Sequence, residues 1–156
     1  FLGRAATETL KQEALELCAM LGLESLLGDA SLKDEAQARD FLALMVGEHG
    51  KKLSGGQAKR LGLVRTLMNG ADVILWDDPF SAIDVLMEKG IVEKLRRWPG
   101  LTGKTVILTS HRITTVRPSD WAIMIDKDRG IVEQGPPGEL LRPGRKTHEY
   151  FEQQMV

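Results

Sequence analysis

Val73-Ile74-Leu75-Trp76-Asp77-Asp78 is the stretch on which the fold turns. Its apolar run offers no face to water, so it suits a strand covered by helices on both sides, as in a parallel α/β sheet. Two carboxylates follow at once. Ligands of open α/β sheets gather at the carboxyl ends of strands, where one carboxylate can hold hydrated Mg²⁺ and the other can position or deprotonate a water. An aspartate that merely caps the next turn accounts for the same residues.

Downstream, the rhythm of short apolar runs and amphipathic segments continues. Asp84 is an N-cap for a helix over residues 85–98, which Pro99-Gly100 ends. Thr105-Val106-Ile107-Leu108-Thr109 is the next buried strand, and Ser110-His111 follows it. A neutral imidazole there can hydrogen-bond a phosphate oxygen or an attacking water, although a surface histidine after a strand is the plainer reading. His49 in a glycine loop and His148 in a charged tail offer no comparable case. A short helix near residues 112–116 comes next. Residues 121–125 and 131–133 then flank Lys127-Asp128-Arg129-Gly130, whose glycine can take the positive φ a hairpin needs. A Pro136-Pro137-Gly138 turn, a short helix at 139–142 and a last helix from Thr147 complete the chain.

Upstream, residues 1–69 contain no strand candidate. Apolar positions recur three or four apart: Leu10, Ala14, Leu17 and Leu21 in one helix, Ala38, Phe41, Leu42 and Met45 in another. Gly22, Gly28 and the 47–50 stretch punctuate them. A third helix is expected over residues 55–69, with Leu61, Val64, Leu67 and Met68 inward and Gly70 as its stop. Its start, Leu53-Ser54-Gly55-Gly56-Gln57, presents bare backbone that can close on an anion.

Composition sets the bounds. With 156 residues, 42% apolar and 28% charged, the chain has the make-up of a globular domain, and its net charge of −1 provides no overall field for nucleic acid or an anionic membrane. A single cysteine, Cys18, excludes a disulfide framework and a thiolate metal site, and it reads as a small core residue. No apolar run approaches the about 20 residues that span a bilayer, and no signal peptide opens the chain. A start at Phe1 without methionine suggests that something precedes it.

Each of these clues is weak alone, but their ordered set is specific. Leu53-Ser54-Gly55-Gly56-Gln57, then Asp77-Asp78-Pro79, then Ser81-Ala82-Ile83-Asp84, then Ser110-His111-Arg112 resembles the nucleotide-binding domain of ABC transporters over residues 47–141. The resemblance implies a partial P-loop NTPase (RecA-like) α/β core, residues 70–142, with an α-helical signature subdomain over 1–69 and a C-terminal helix over 143–156. Ser54, Gly55, Gly56 and Gln57 resemble the signature motif, which meets the γ-phosphate of ATP held by the opposite subunit. Its glycines would let the backbone approach that phosphate closely. Asp77 resembles the Walker B carboxylate on Mg²⁺, Asp78 stands at the catalytic base, His111 resembles the switch histidine, and Asp84 closes a segment resembling the D-loop. Val46-Gly47-Glu48-His49-Gly50 resembles the X-loop of exporters, which abuts the coupling helices of the membrane domain, and an ordinary glycine turn would also fit it.

Two departures follow. The family usually has glutamate where this chain has Asp78, one methylene shorter, and small misplacements of a catalytic group can cost about 100-fold. The site built on this subunit is therefore expected to hydrolyse slowly or mainly to bind, with a different rather than identical partner favoured. Secondly, no Gly-x-x-x-x-Gly-Lys-Ser/Thr loop, adenine-stacking aromatic or Q-loop glutamine occurs, and Gln12 reads as a solvated helix face. This polypeptide alone is thus expected to bind ATP poorly and to leave one face of its sheet uncovered. The implied setting is the cytoplasmic face of a membrane, without nucleic acid. Two other readings stand beside it: an ABC-type ATPase acting on DNA, for which sustained heptads are missing, and an inert or regulatory fragment.

Overall fold

The computed structural model describes residues 7–27 and 52–154. The helix expected around Ala38, Phe41, Leu42 and Met45, and the loop at residues 47–50, lie outside the described residues. Helix α1, Glu8–Met20, starts on Thr7, whose side chain accepts from the Leu10 amide at 3.3 Å. It ends in a glycine-built stop. Gly22 takes φ +66°, its amide donates to the Ala19 carbonyl at 3.1 Å, and the Leu23 amide reaches back to Cys18 at 2.9 Å. That reversal sends Leu23 into the core beside Leu17 and Leu21, all of them fully buried. A 3₁₀ turn, Glu24–Leu27, follows.

Helix α2, Gly55–Met68, buries Leu63, Val64 and Leu67. Leu61 and Met68, expected on this inner face, are only partly covered, and Leu63 takes the central place. Gly70, at φ +75°, ends the helix as expected. Strand β1 (Val73–Trp76) pairs in parallel with β2 (Thr105–Leu108), joined through α3 (Val85–Arg97) and a 3₁₀ turn at Pro99–Leu101. Register places Val73 beside Thr105 and Trp76 beside Leu108. Asp84 caps α3 by accepting from the Met87 amide at 2.9 Å. Beyond it lie α4 (Ile113–Val116), the antiparallel hairpin of β3 (Ala122–Asp126) and β4 (Gly130–Gly135), α5 (Pro137–Leu140) and α6 (Lys146–Phe151). Gly130 supplies the positive φ of the hairpin, at +72°. The Asp126 carboxylate accepts from the amides of Asp128 and Arg129.

Ile74 and Trp76 of β1 join Leu17, Cys18, Leu21 and Leu23, the inner face of α2, Phe80, Ile83, and Ile91 and Leu95 of α3 in one core cluster. This covers one face of β1 and β2 only. Val73 is 58% exposed, Leu75 71% and Ile107 55%, so the expectation of strands buried on both faces is corrected. The all-apolar run needs two covers, and the described residues provide one.

Burial pushes the Cys18 thiol up to about 11, which keeps it protonated and inert at neutral pH. Glu133 on β4 accepts from the Lys146 and Thr147 amides and the Thr147 hydroxyl, and these bonds hold its carboxyl below the usual range. Among the described residues, no helix is long and apolar enough to cross a membrane. Because Leu17 is fully buried within the main cluster, Leu17→Ala is expected to destabilise the fold by about 2–5 kcal/mol, read from the midpoint of chemical denaturation.

Candidate functional site

The parallel register of β1 and β2 brings the two candidate strand ends side by side. Thr109, just past β2, fixes the first carboxylate by donating its hydroxyl proton to Asp77 Oδ1 at 2.8 Å. The Thr109 hydroxyl oxygen in turn accepts the Asp78 amide at 2.8 Å, so one hydroxyl uses both its donor and an acceptor to lock the Asp77-Asp78 turn. Asp78 sits at φ +41°, a region that aspartate tolerates better than longer side chains do. Its carboxylate Oδ1 lies 3.6 Å from Nδ1 of His111, and both side chains are partly open to solvent. Asp77, Asp78 and His111 therefore lie together beyond the ends of β1 and β2.

The N-terminus of α2 is joined to this turn. Lys59, one turn into the helix, donates to the Asp78 carbonyl at 3.1 Å and to the Ser81 hydroxyl. Gly56 is packed even more tightly. A Cβ there would lie 2.7 Å from the Ala82 carbonyl oxygen, closer than real Cβ contacts come, whereas one on Gly55 would meet nothing within 4 Å. The close approach at Gly56 is thus to this chain's own backbone.

At the helix tip, the Ser54 hydroxyl accepts from the Gln57 amide at 3.2 Å, and Gln57 Oε1 accepts from the Ser54 amide at 2.8 Å, a reciprocal capping box. A helix start leaves its first amides without helical partners. The box engages those of Ser54 and Gln57, and among the described residues the Gly55 and Gly56 amides meet no acceptor, at the positive end of the helix dipole. The Ser54 hydroxyl keeps its proton to donate. Gln57, read from the sequence as a ligand contact, serves here as half of the box, and Asp84 serves as the α3 cap.

Behind the loop, Arg60 is buried, with its Nη1 on Met87 Sδ at 3.0 Å. Desolvation lowers its pKa against the opposing pull of Asp84. Sequence reasoning passed over Lys59 and Glu88, and it quoted Thr109 and Arg112 without the bonds they make here. Only Thr109 left a signal, as the polar residue one step beyond the Trp76 and Leu108 pairing.

Among the described residues, no group of three or more His, Cys, Asp or Glu side chains could hold a metal alone. Mg²⁺ does not need one. It commonly takes one or two carboxylates, several waters and substrate phosphate oxygens. Asp77 fits, because Thr109 fixes its orientation through one oxygen and its second accepts nothing from the described residues.

A family model described as ABC transporter matches residues 10–81. The leukotoxin translocation ATP-binding protein LktB of Pasteurella haemolytica-like sp. (strain 5943B) is 36% identical over 125 residues, covering 76% of this chain and 17% of that protein. The chain belongs to the ABC transporter family. LktB of Mannheimia haemolytica matches with the same identity and coverage. The solved structure of a bacterial Atm1-family ABC exporter with ATP bound superposes with a TM-score of 0.76 at 28% identity, over 99% of this chain and 25% of that one. The fold is therefore part of the P-loop NTPase fold of an ABC nucleotide-binding domain, and this ABC chain spans 17% of the length of the curated relatives it matches.

Proposed function

We propose that this chain supplies the signature, Walker B, D-loop and switch-histidine elements of a nucleotide-binding domain that drives an ABC exporter. The single observation that carries the reading is the meeting of Asp77 and Asp78 on Thr109, with His111 3.6 Å from Asp78, at adjacent parallel strand ends, and with the start of α2 docked against the same turn. In this reading Asp77 faces the hydrated Mg²⁺ of bound ATP, an ion that neutralises charge developing on the phosphates. His111 contacts the γ-phosphate, and Asp78 orients the attacking water. The Gly55 and Gly56 amides, without an acceptor among the described residues, and the Ser54 hydroxyl point to a terminal phosphate held by a second nucleotide-binding domain. Residues 1–69 form the signature subdomain, 70–142 the core portion and 143–156 a C-terminal helix, and the 47–50 loop meets the coupling helices of a membrane domain at its cytoplasmic face.

Asp78 favours an unequal pair of subunits. Its left-handed backbone and its hold by Thr109 and Lys59 give the carboxylate little freedom to make up the missing methylene, so this site hydrolyses slowly or chiefly binds ATP. The similar proteins, a leukotoxin translocation ATP-binding protein and an ABC exporter with ATP bound, support export over action on DNA.

The test is a cysteine at Ser54 in the full-length protein loaded with ATP and vanadate. Crosslinking to a cysteine in the facing subunit's phosphate loop is the expected result. Crosslinking that is absent, or independent of nucleotide, defeats the reading.

A further inference from the structure

Glu88, in the first turn of α3, is fully buried, and a lone carboxylate there would be costly. Three side-chain donors meet it. Arg112 Nη1 donates to Oε2 at 2.6 Å, Thr114 donates to Oε1 at 2.6 Å, and the Thr115 hydroxyl donates to the same oxygen. The guanidinium goes further: Nη1 also reaches the Ile83 carbonyl at 2.7 Å, and Nη2 reaches the Ser81 carbonyl at 3.2 Å. One side chain, directly after His111, thereby grips the loop that carries Asp84. From the other side, Gln154 donates to the His111 carbonyl at 3.1 Å and accepts the Ile113 amide at 3.0 Å.

An apolar pair of similar volume often holds two elements together at least as well as a buried ion pair, so stability is a poor account of this one. What the charged fork adds is direction, because its planar donors fix two carbonyls and a carboxylate in one arrangement. We propose that Glu88 and Arg112 are positioning residues that make the 81–84 loop and His111 move as one body. A displacement of the loop by a facing subunit is then passed to the imidazole at the phosphate. This rests on the role given to His111 above.

The test compares Arg112→Lys and His111→Ala in the full-length protein from which the facing site's glutamate has been removed, so that the residual slow turnover, kcat included, reports the site built on this subunit. Lysine keeps a positive charge opposite Glu88 but has no fork for the two carbonyls. The expected result is a kcat lower by about 10- to 100-fold, with the KM for ATP, the thermal midpoint and the nucleotide-dependent Ser54 crosslink all retained. Unchanged turnover in Arg112→Lys beside a collapse in His111→Ala overturns the positioning role alone. Unchanged turnover in His111→Ala overturns the reading of the site and this inference with it. A loss of kcat that merely tracks a fall in thermal midpoint or crosslinking marks the pair as structural and also overturns the proposal. Should Arg112→Lys fail to fold, Glu88→Gln, which keeps the shape and loosens the grip, is read by the same criteria.

Discussion

Asp77→Asn is expected to lower ATP turnover at the site it helps to build by about 1,000-fold, equivalent to about 4 kcal/mol of transition-state stabilisation. The argument isolates charge from shape. Asparagine has the same branching, and its carbonyl oxygen can still accept the Thr109 hydroxyl that meets Asp77 at 2.8 Å, so the turn and the Asp78 amide bond survive. The thermal midpoint should barely move. What disappears is the carboxylate charge that, in the proposed reading, would pair with Mg²⁺ on the phosphates, and a neutral amide would replace it poorly. The companion variant is Asp78→Asn, which also tolerates the φ of +41°. If this site mainly binds nucleotide, Asp78→Asn changes turnover of the full-length protein little, whereas removal of a glutamate from the facing site abolishes it. The opposite ranking, with Asp78 dominant and the partner glutamate dispensable, would show that the shorter carboxylate is a working base. Steady-state ATPase of the full-length protein ranks Asp78→Asn against the facing glutamate, and the residual ATPase left when that glutamate is removed, followed across a Mg²⁺ titration, reads Asp77→Asn.

The parts of this fold legible in the sequence are those governed by local rules. Ser54 followed three residues later by Gln57 predicts a helix start, and Asp84 before an amphipathic run predicts another; both caps form. Asp77 and His111 are legible as strand-end residues because β1 and β2 are parallel, which puts their carboxyl ends together. What was not legible depends on contacts far apart in the chain. Val73, Leu75 and Ile107 read as buried from composition, yet a strand's apolar character cannot say which chain provides its cover. Glu88 has no local mark in the sequence, since its partners Arg112, Thr114 and Thr115 lie more than twenty residues on. Lys59 carried no mark at all of its reach to Asp78 and Ser81.

Gly56→Ala is expected to cut turnover by about 100-fold while Gly55→Ala leaves the fold intact, and the difference between adjacent glycines locates the cause. Both lie in the first turn of α2, where alanine is intrinsically the better helix former by about 1 kcal/mol, so propensity alone favours either change. Sterics separate them. At position 56 the added methyl group would sit 2.7 Å from the Ala82 carbonyl oxygen, and neither side of that contact is a flexible side chain that can swing away. The helix tip must retreat or the 81–84 loop must shift, and the Lys59 bonds to Asp78 and Ser81 carry the strain into the Asp77-Asp78 turn. At position 55 nothing stands within 4 Å, so the methyl group meets no part of the described chain. Its only cost is the space it takes where an external phosphate would approach the amide. Gly55→Ala should therefore keep the thermal midpoint yet weaken the nucleotide-dependent Ser54 crosslink, whereas Gly56→Ala should lose both midpoint and turnover. Equal, mild behaviour of the two variants in calorimetry and ATPase assays would remove the loop contact as the reason for glycine at 56.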